Sequence, residues 1–181
     1  TRTIRIVSPT ELLESILRQL ADVRTRILDM LRWQRDLRLT LLAQLAVSQP
    51  ATQASNLRQY IQRQAQIAGA AASVASDLAA HADRLRADLA DRRSLADSVA
   101  AAADRLGRIR SGPMADVQRR LQALQARTPD PQAAAGSQAG TQVDDRADAA
   151  ADGETAARSA EAAATDLEDL LQRTADWTSL E

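Results

Sequence analysis

His81 is the only histidine in the chain, and cysteine is absent. Most nucleophilic triads and zinc sites need at least one of these residue types. A serine hydrolase would have to build its triad on His81, and no Gly-x-Ser-x-Gly elbow is present. Di-iron bundles need Glu-x-x-His twice, which one histidine cannot supply. Asp77 lies four residues before His81, and that pair is too small a ligand set for a metal. His81 reads as a polar residue tolerated in a helical seam.

The acids offer two further patterns. Asp144, Asp145, Asp148 and Asp152-Gly153-Glu154 have a calcium-loop look. Counting from Asp148, however, the third position is Ala150 and the twelfth is Ser159, where an EF-hand needs oxygen ligands and a closing Glu. Glu11 and Glu14 form a carboxylate pair, but both fall in a helix's first turn, where the dipole favours negative charge. Every basic residue is Arg, so P-loop and Schiff-base lysine chemistry are excluded. Arg24, Arg26, Arg32, Arg35 and Arg38, and later Arg84, Arg86, Arg92 and Arg93, are interleaved with acids and lack stacking aromatics. They read as salt-bridged helix faces rather than a nucleic-acid surface. No catalytic, cofactor or metal residue emerges, and the chain reads as non-enzymatic.

The remaining candidates are contact residues. Trp33, Gln34, Leu37, Leu41 and Trp177 are expected to meet a second copy or another helical protein. Gln34, Gln44 and Gln64 fall on helical core lines, where buried polar groups set register and oligomeric state.

The elements that carry these residues are helices. Bulky side chains are too sparse for a thick core, and Ala, Leu, Arg, Gln, Asp and Glu dominate. The fold class is all-α, an elongated antiparallel bundle or coiled coil. Residues 2–7 alternate polar and β-branched side chains and read as one strand, the last of an upstream β domain. Ser8-Pro9-Thr10-Glu11 is a capping box with Pro at the first helical position. One core line then runs Leu13, Leu20, Ile27, Gln34, Leu41, and another Ile16, Val23, Met30, Leu37, Gln44. This predicts a helix over 9–47.

A second helix is predicted over 52–110, because the heptad register holds from Leu57 to Ile109 with interruptions only at Asp88 and Arg92. A break near Arg93-Ser94 is the alternative. Ser111-Gly112-Pro113 predicts a stop and restart, giving a third helix over 113–127 that folds back on the second. Residues 128–153 read as a flexible Ala, Gly and Asp linker, and 154–177 as an acidic final helix. Residues 1–110 carry a net charge of +6, residues 111–140 +1 and residues 141–181 −8. An acidic tail of that size can lie across a basic helical face, within or between chains. No segment approaches the roughly 20 apolar residues of a spanning helix. The start at Thr1 reads as a mature product or part of a longer chain.

The junction Thr-Ile-Arg-Ile-Val-Ser-Pro-Thr-Glu-Leu-Leu-Glu, followed by Arg- and Leu-rich heptads, covers residues 1–45. It resembles the layout of large, functionally unassigned bacterial envelope-associated proteins, in which a β-sandwich passes into a long coiled coil. The resemblance implies a structural or assembly role. In composition the chain also resembles granule-coating phasins. The expected function is a helical spacer or scaffold; the alternative is an amphipathic coat on a lipid or polymer-granule surface.

Overall fold

The computed structural model describes residues 8–46, 50–127 and 142–178. Their elements are α1 (Pro9–Ala46), α2 (Pro50–Asp88), α3 (Arg93–Ile109), α4 (Ala115–Arg127) and α5 (Gln142–Arg173). Short 3-10 turns occupy Ala90–Arg92 and Ala175–Thr178, and a π-turn, Arg110–Met114, joins α3 to α4. The strand expected at residues 2–7 lies outside the described residues.

The capping box forms as its sequence dictates. Ser8 N–H donates to Glu11 Oε2 at 2.9 Å, and Glu11 N–H donates to Ser8 Oγ at 3.2 Å. These bonds hold the Glu11 carboxyl below its ordinary pKa, the Ser8 backbone bond contributing most. The second helix begins at Pro50, earlier than expected, with the proline in the first turn, where its missing N–H has no intrahelical partner to lose.

The long helix expected over 52–110 is instead two. α2 ends at Asp88, Leu89 leaves helical geometry at φ −135° and ψ 71°, and α3 returns along α2. Arg86 reaches Asp97 across the turn at 3.0 Å. A straight helix would have left the Leu95–Ile109 stripe without a partner. The reversal buries Leu95, Val99, Leu106 and Ile109 in the same core as Leu78 and Leu85. Residues Asp88 and Arg92, which interrupt the core lines, fall at the bend.

The break expected at Gly112-Pro113 is also reversed. The chain stays helical from Arg93 to Arg127, and the proline sits inside the π-turn. Proline has no N–H to donate and its ring collides with the carbonyl four residues back. Widening one turn is a known way to relieve such conflict. Ser111 Oγ also donates to the Gly107 carbonyl at 3.0 Å. α4 therefore continues α3 rather than folding back on it.

The expected linker is corrected over its second half. α5 begins at Gln142, so residues 142–153 are helical; residues 128–141 lie outside the described residues. Alanine, the best helix former, makes up a third of this stretch, and its neighbours give it a surface to dock on. Arg120 and Arg127 hold Asp152 at 3.0 and 2.7 Å, and the next turns bury Ala156, Ala157 and Ala160.

The result is an up-down-up-down four-helix bundle whose third rod is α3, the π-turn and α4. Cross-helix pairs fix the direction of each seam. Arg26–Asp77 and Gln34–Gln64 make α1 antiparallel to α2. Arg105–Asp166 and Arg120–Asp152 make the third rod antiparallel to α5. Arg35–Glu168 and Arg38–Glu161 do the same for α1 and α5. Two apolar clusters fill the centre. The larger contains Ile16, Leu20, Ile27, Leu78, Leu85, Leu106, Leu167 and Trp177. The smaller contains Leu37, Leu41, Leu57, Val117, Leu121 and Leu124 against the α5 alanines.

Candidate functional site

Most residues with chemical potential have structural partners; His81 is an exception, its buried Nδ1 having no hydrogen-bond partner. His81 is buried on α2, and burial is the main cause that lowers its pKa; Arg84 adds to this and Asp77 opposes it. Among the described residues, no three His, Cys, Asp or Glu side chains are grouped so that they could hold a metal. Asp152 is clamped between two arginines, and Glu11 serves the capping box. Glu14 lies 3.8 Å from Arg18. Arg26, Arg32, Arg35, Arg38, Arg86 and Arg92 pair with carboxylates, as interleaved charges on helix faces should.

Of the five expected contact residues, four point into the chain's own core. Gln34, Leu37, Leu41 and Trp177 are at most 7% exposed. Trp177 Nε1–H donates to Ser98 Oγ at 3.0 Å, so this tryptophan closes the end of the bundle where α3 begins and α5 ends. Gln34 Nε2–H donates to Gln64 Oε1 at 3.1 Å, and Gln64 Nε2–H donates to the Met114 carbonyl at 3.2 Å. That carbonyl belongs to the π-turn. The relay crosses three rods, between the larger and smaller apolar clusters. The expected seam glutamine Gln44 lies outside the described side chains.

Trp33 alone of the five reaches the surface. It is half-buried on the wall of a groove of about 340 Å³ between α1 and α2. Met30, Ile67 and Val74 form the floor; Arg26, Asp29, Arg63, Gln66, Ala70 and Ser73 complete the lining. A second, much smaller and more enclosed pocket of about 20 Å³ lies on the other side of Trp33, lined also by Asp36, Thr40 and Tyr60. The Arg63 guanidinium lies over the Trp33 ring, 3.1 Å from its centre. Tyr60 has its pKa raised, first by burial and then by Asp36, with Arg63 opposing. Thus the chain's one tyrosine and one of its two tryptophans line the same seam. α1 packs less extensively on α2 than on α5, and this is why the seam stays open.

Sequence reasoning had singled out Trp33 but missed Arg63, and the placing of Tyr60 in the neighbouring pocket. Tyr60, Ile67 and Val74 lie on a predicted core line of the second helix, and the signal for Arg63 was its place beside that line, four residues before Ile67. Chemically, the groove is an apolar trough with Trp and Arg, two of the residue types that dominate contact energies. No helix among the described residues is long and apolar enough to cross a membrane. No protein-family model matches the chain, and neither a curated protein nor a solved structure is similar to it.

Proposed function

We propose that this chain is a non-enzymatic helical spacer or scaffold that works by self-association or by helix–helix contact with another protein. The observation that carries this reading is the Trp33 groove. It is a concave, apolar, aromatic and arginine-lined surface on a bundle whose other large side chains mostly face inward. The acidic C-terminal helix supports a structural role as well, because its charge is spent on arginines of α1, α3 and α4. An enzyme would be expected to hold a perturbed acid or base in a cleft. His81, the nearest to that description, is 8% exposed on a core line. Light scattering coupled to size exclusion, over a wide range of protein concentration, tests self-association. A mass that stays at one chain throughout overturns that arm and leaves the partner arm.

A second reading, a coat on a lipid or polymer surface, is favoured by a different face. Leu28, Leu39 and Leu42 are exposed on one side of α1, with Arg32 and Arg35 among them. Flotation with anionic vesicles tests it. Protein that stays in the soluble fraction counts against the coat.

A further inference from the structure

We infer that the larger pocket between α1 and α2, beside Trp33, binds a compact, uncharged small molecule built on two fused apolar rings. This goes beyond the scaffold reading, which needs a contact surface and no ligand.

Shape is the first ground. Trp33, Arg63 and Ile67 line both pockets of the seam, so the Trp33–Arg63 stack stands between them. The larger pocket is therefore closed at that end rather than running on along the helices. On α1 its lining spans only Arg26 to Trp33, about 10 Å at 1.5 Å per residue. A partner helix meets two turns of trough and then a wall, whereas a compact molecule fits within those limits. An apolar cavity of about 150 Å³ holds one benzene ring. At about 340 Å³ this pocket has room for two fused rings.

The lining is the second ground. Met30, Ile67 and Val74 make the floor, with Trp33 and Ala70 beside them. Water on a concave apolar floor is poorly satisfied, and a ring that displaces it binds through that release. Met30 adapts its flexible side chain to the shape it receives.

The charges ask for no charged ligand. Arg26 has Asp77 at 3.1 Å, and Asp29 has Arg32 at 3.4 Å. Arg63 lies over Trp33, and Asp36 stands on the far side of that stack, so the remaining charges of the seam are opposite in sign. Among the described residues, the buried polar atoms without a hydrogen-bond partner belong to Arg24, Gln34, His81, Arg105 and Asp152. None of these lines the pocket. A polar group on the ligand thus finds no buried partner to satisfy.

The experiment uses the full chain labelled with 5-fluorotryptophan, which gives separate fluorine resonances for Trp33 and Trp177. Indole is the probe, with indole-3-acetate and tryptamine as its anionic and cationic counterparts. A saturable shift of Trp33, with Trp177 unmoved, is expected for indole, with a dissociation constant on the order of 1 mM or tighter. Ala70→Phe, at an exposed position of the lining, should fill the pocket and weaken indole about tenfold. Ala79→Phe, exposed on α2 outside the pocket, should leave binding unchanged. No saturable Trp33 shift up to roughly 10 mM indole overturns the inference. Tighter binding of indole-3-acetate or tryptamine does so too, because charge is then the selecting feature, and so does binding that Ala70→Phe leaves intact. A Trp33 shift that follows protein concentration without ligand means that a second copy fills the pocket. That outcome overturns the inference but keeps the self-association reading. A chain that is always monomeric yet binds indole does the reverse.

Discussion

Gln34 and Gln64, 30 residues apart in sequence, form a fully buried amide pair at 3.1 Å, with Gln34 as donor. The direction is set by the far end. The Met114 carbonyl can only accept, so Gln64 must present Nε2 to it and Oε1 to Gln34. Gln34 Oε1 is left without a hydrogen-bond partner. The widened turn that accommodates Pro113 supplies the carbonyl that ends the relay. A local backbone defect and a polar layer in the core therefore specify each other.

Gln64→Leu should destabilise the bundle by about 1–3 kcal/mol, because Gln34 loses its acceptor and the Met114 carbonyl its donor. The double variant Gln34→Leu, Gln64→Leu should recover the part owed to Gln34, since the Met114 carbonyl still lacks its donor. It should also broaden the set of helix registers or oligomers, as removal of buried polar residues does in coiled coils. Urea denaturation and light scattering measure the two effects. A double variant no more stable than the single one would refute the pairing.

Asp152 receives Arg120 at 3.0 Å and Arg127 at 2.7 Å, and its side chain is 11% exposed. Asp152→Ala should cost about 1–2 kcal/mol, discounted for the half-exposed arginines. The loss should appear first as faster amide exchange in the N-terminal half of α5, where the core contacts are alanines. Uniform exchange along α5 would contradict a local clamp.

His81 gives the bundle a pH slope of known sign. Its folded pKa lies below the ordinary 6.5, chiefly through burial. The unfolded chain therefore takes up the proton first, so stability is greatest above 6.5 and declines as pH falls through and below that value. Urea midpoints from pH 8 to pH 5 should fall in the wild type, and His81→Gln should remove part of the slope. An unchanged slope in the variant would assign it to other groups.

The bend at Leu89 brings Arg86 beside Asp97. Cysteines introduced at both positions, in a chain that has none of its own, should be joined by a short bismaleimide within one molecule. A continuous helix would separate them by about 16 Å along its axis, beyond the reach of that linker.

The Ser8–Glu11 box carries a second pH effect. The lowered Glu11 pKa means its contribution is present above the ordinary carboxylate value of 4.5 and is lost as pH falls through the folded one. Ser8→Ala should fray the first turn of α1, at a cost of about 1 kcal/mol. Amide exchange at Leu12 and Leu13 reads this directly.

The sequence by itself determined the helices, their inward faces and the start of α1. Heptad spacing places Leu20, Ile27, Leu78 and Leu106 on core lines whatever the connection between helices, and the capping box acts within four residues. The turn between α1 and α2 was legible in the sequence, but the turn after α2 appeared there only as an alternative break near Arg93-Ser94. Asp88 and Arg92 weaken the core lines without stopping the register, and only burial of the Leu95–Ile109 stripe against α2 decides for reversal. Gly112-Pro113 reads locally as a stop, yet Leu106 and Ile109 before the π-turn and Val117 and Leu121 after it are all buried in the bundle core, and this packing keeps the rod helical. Alanine-rich residues 142–153 lack the bulk to order themselves, and it is Arg120 and Arg127, distant in sequence, that hold them. The same reason governs Trp33 and Trp177. Side-chain type marked both as contacts, but only the loose α1–α2 seam and the closed far end of the bundle left one at the surface and buried the other.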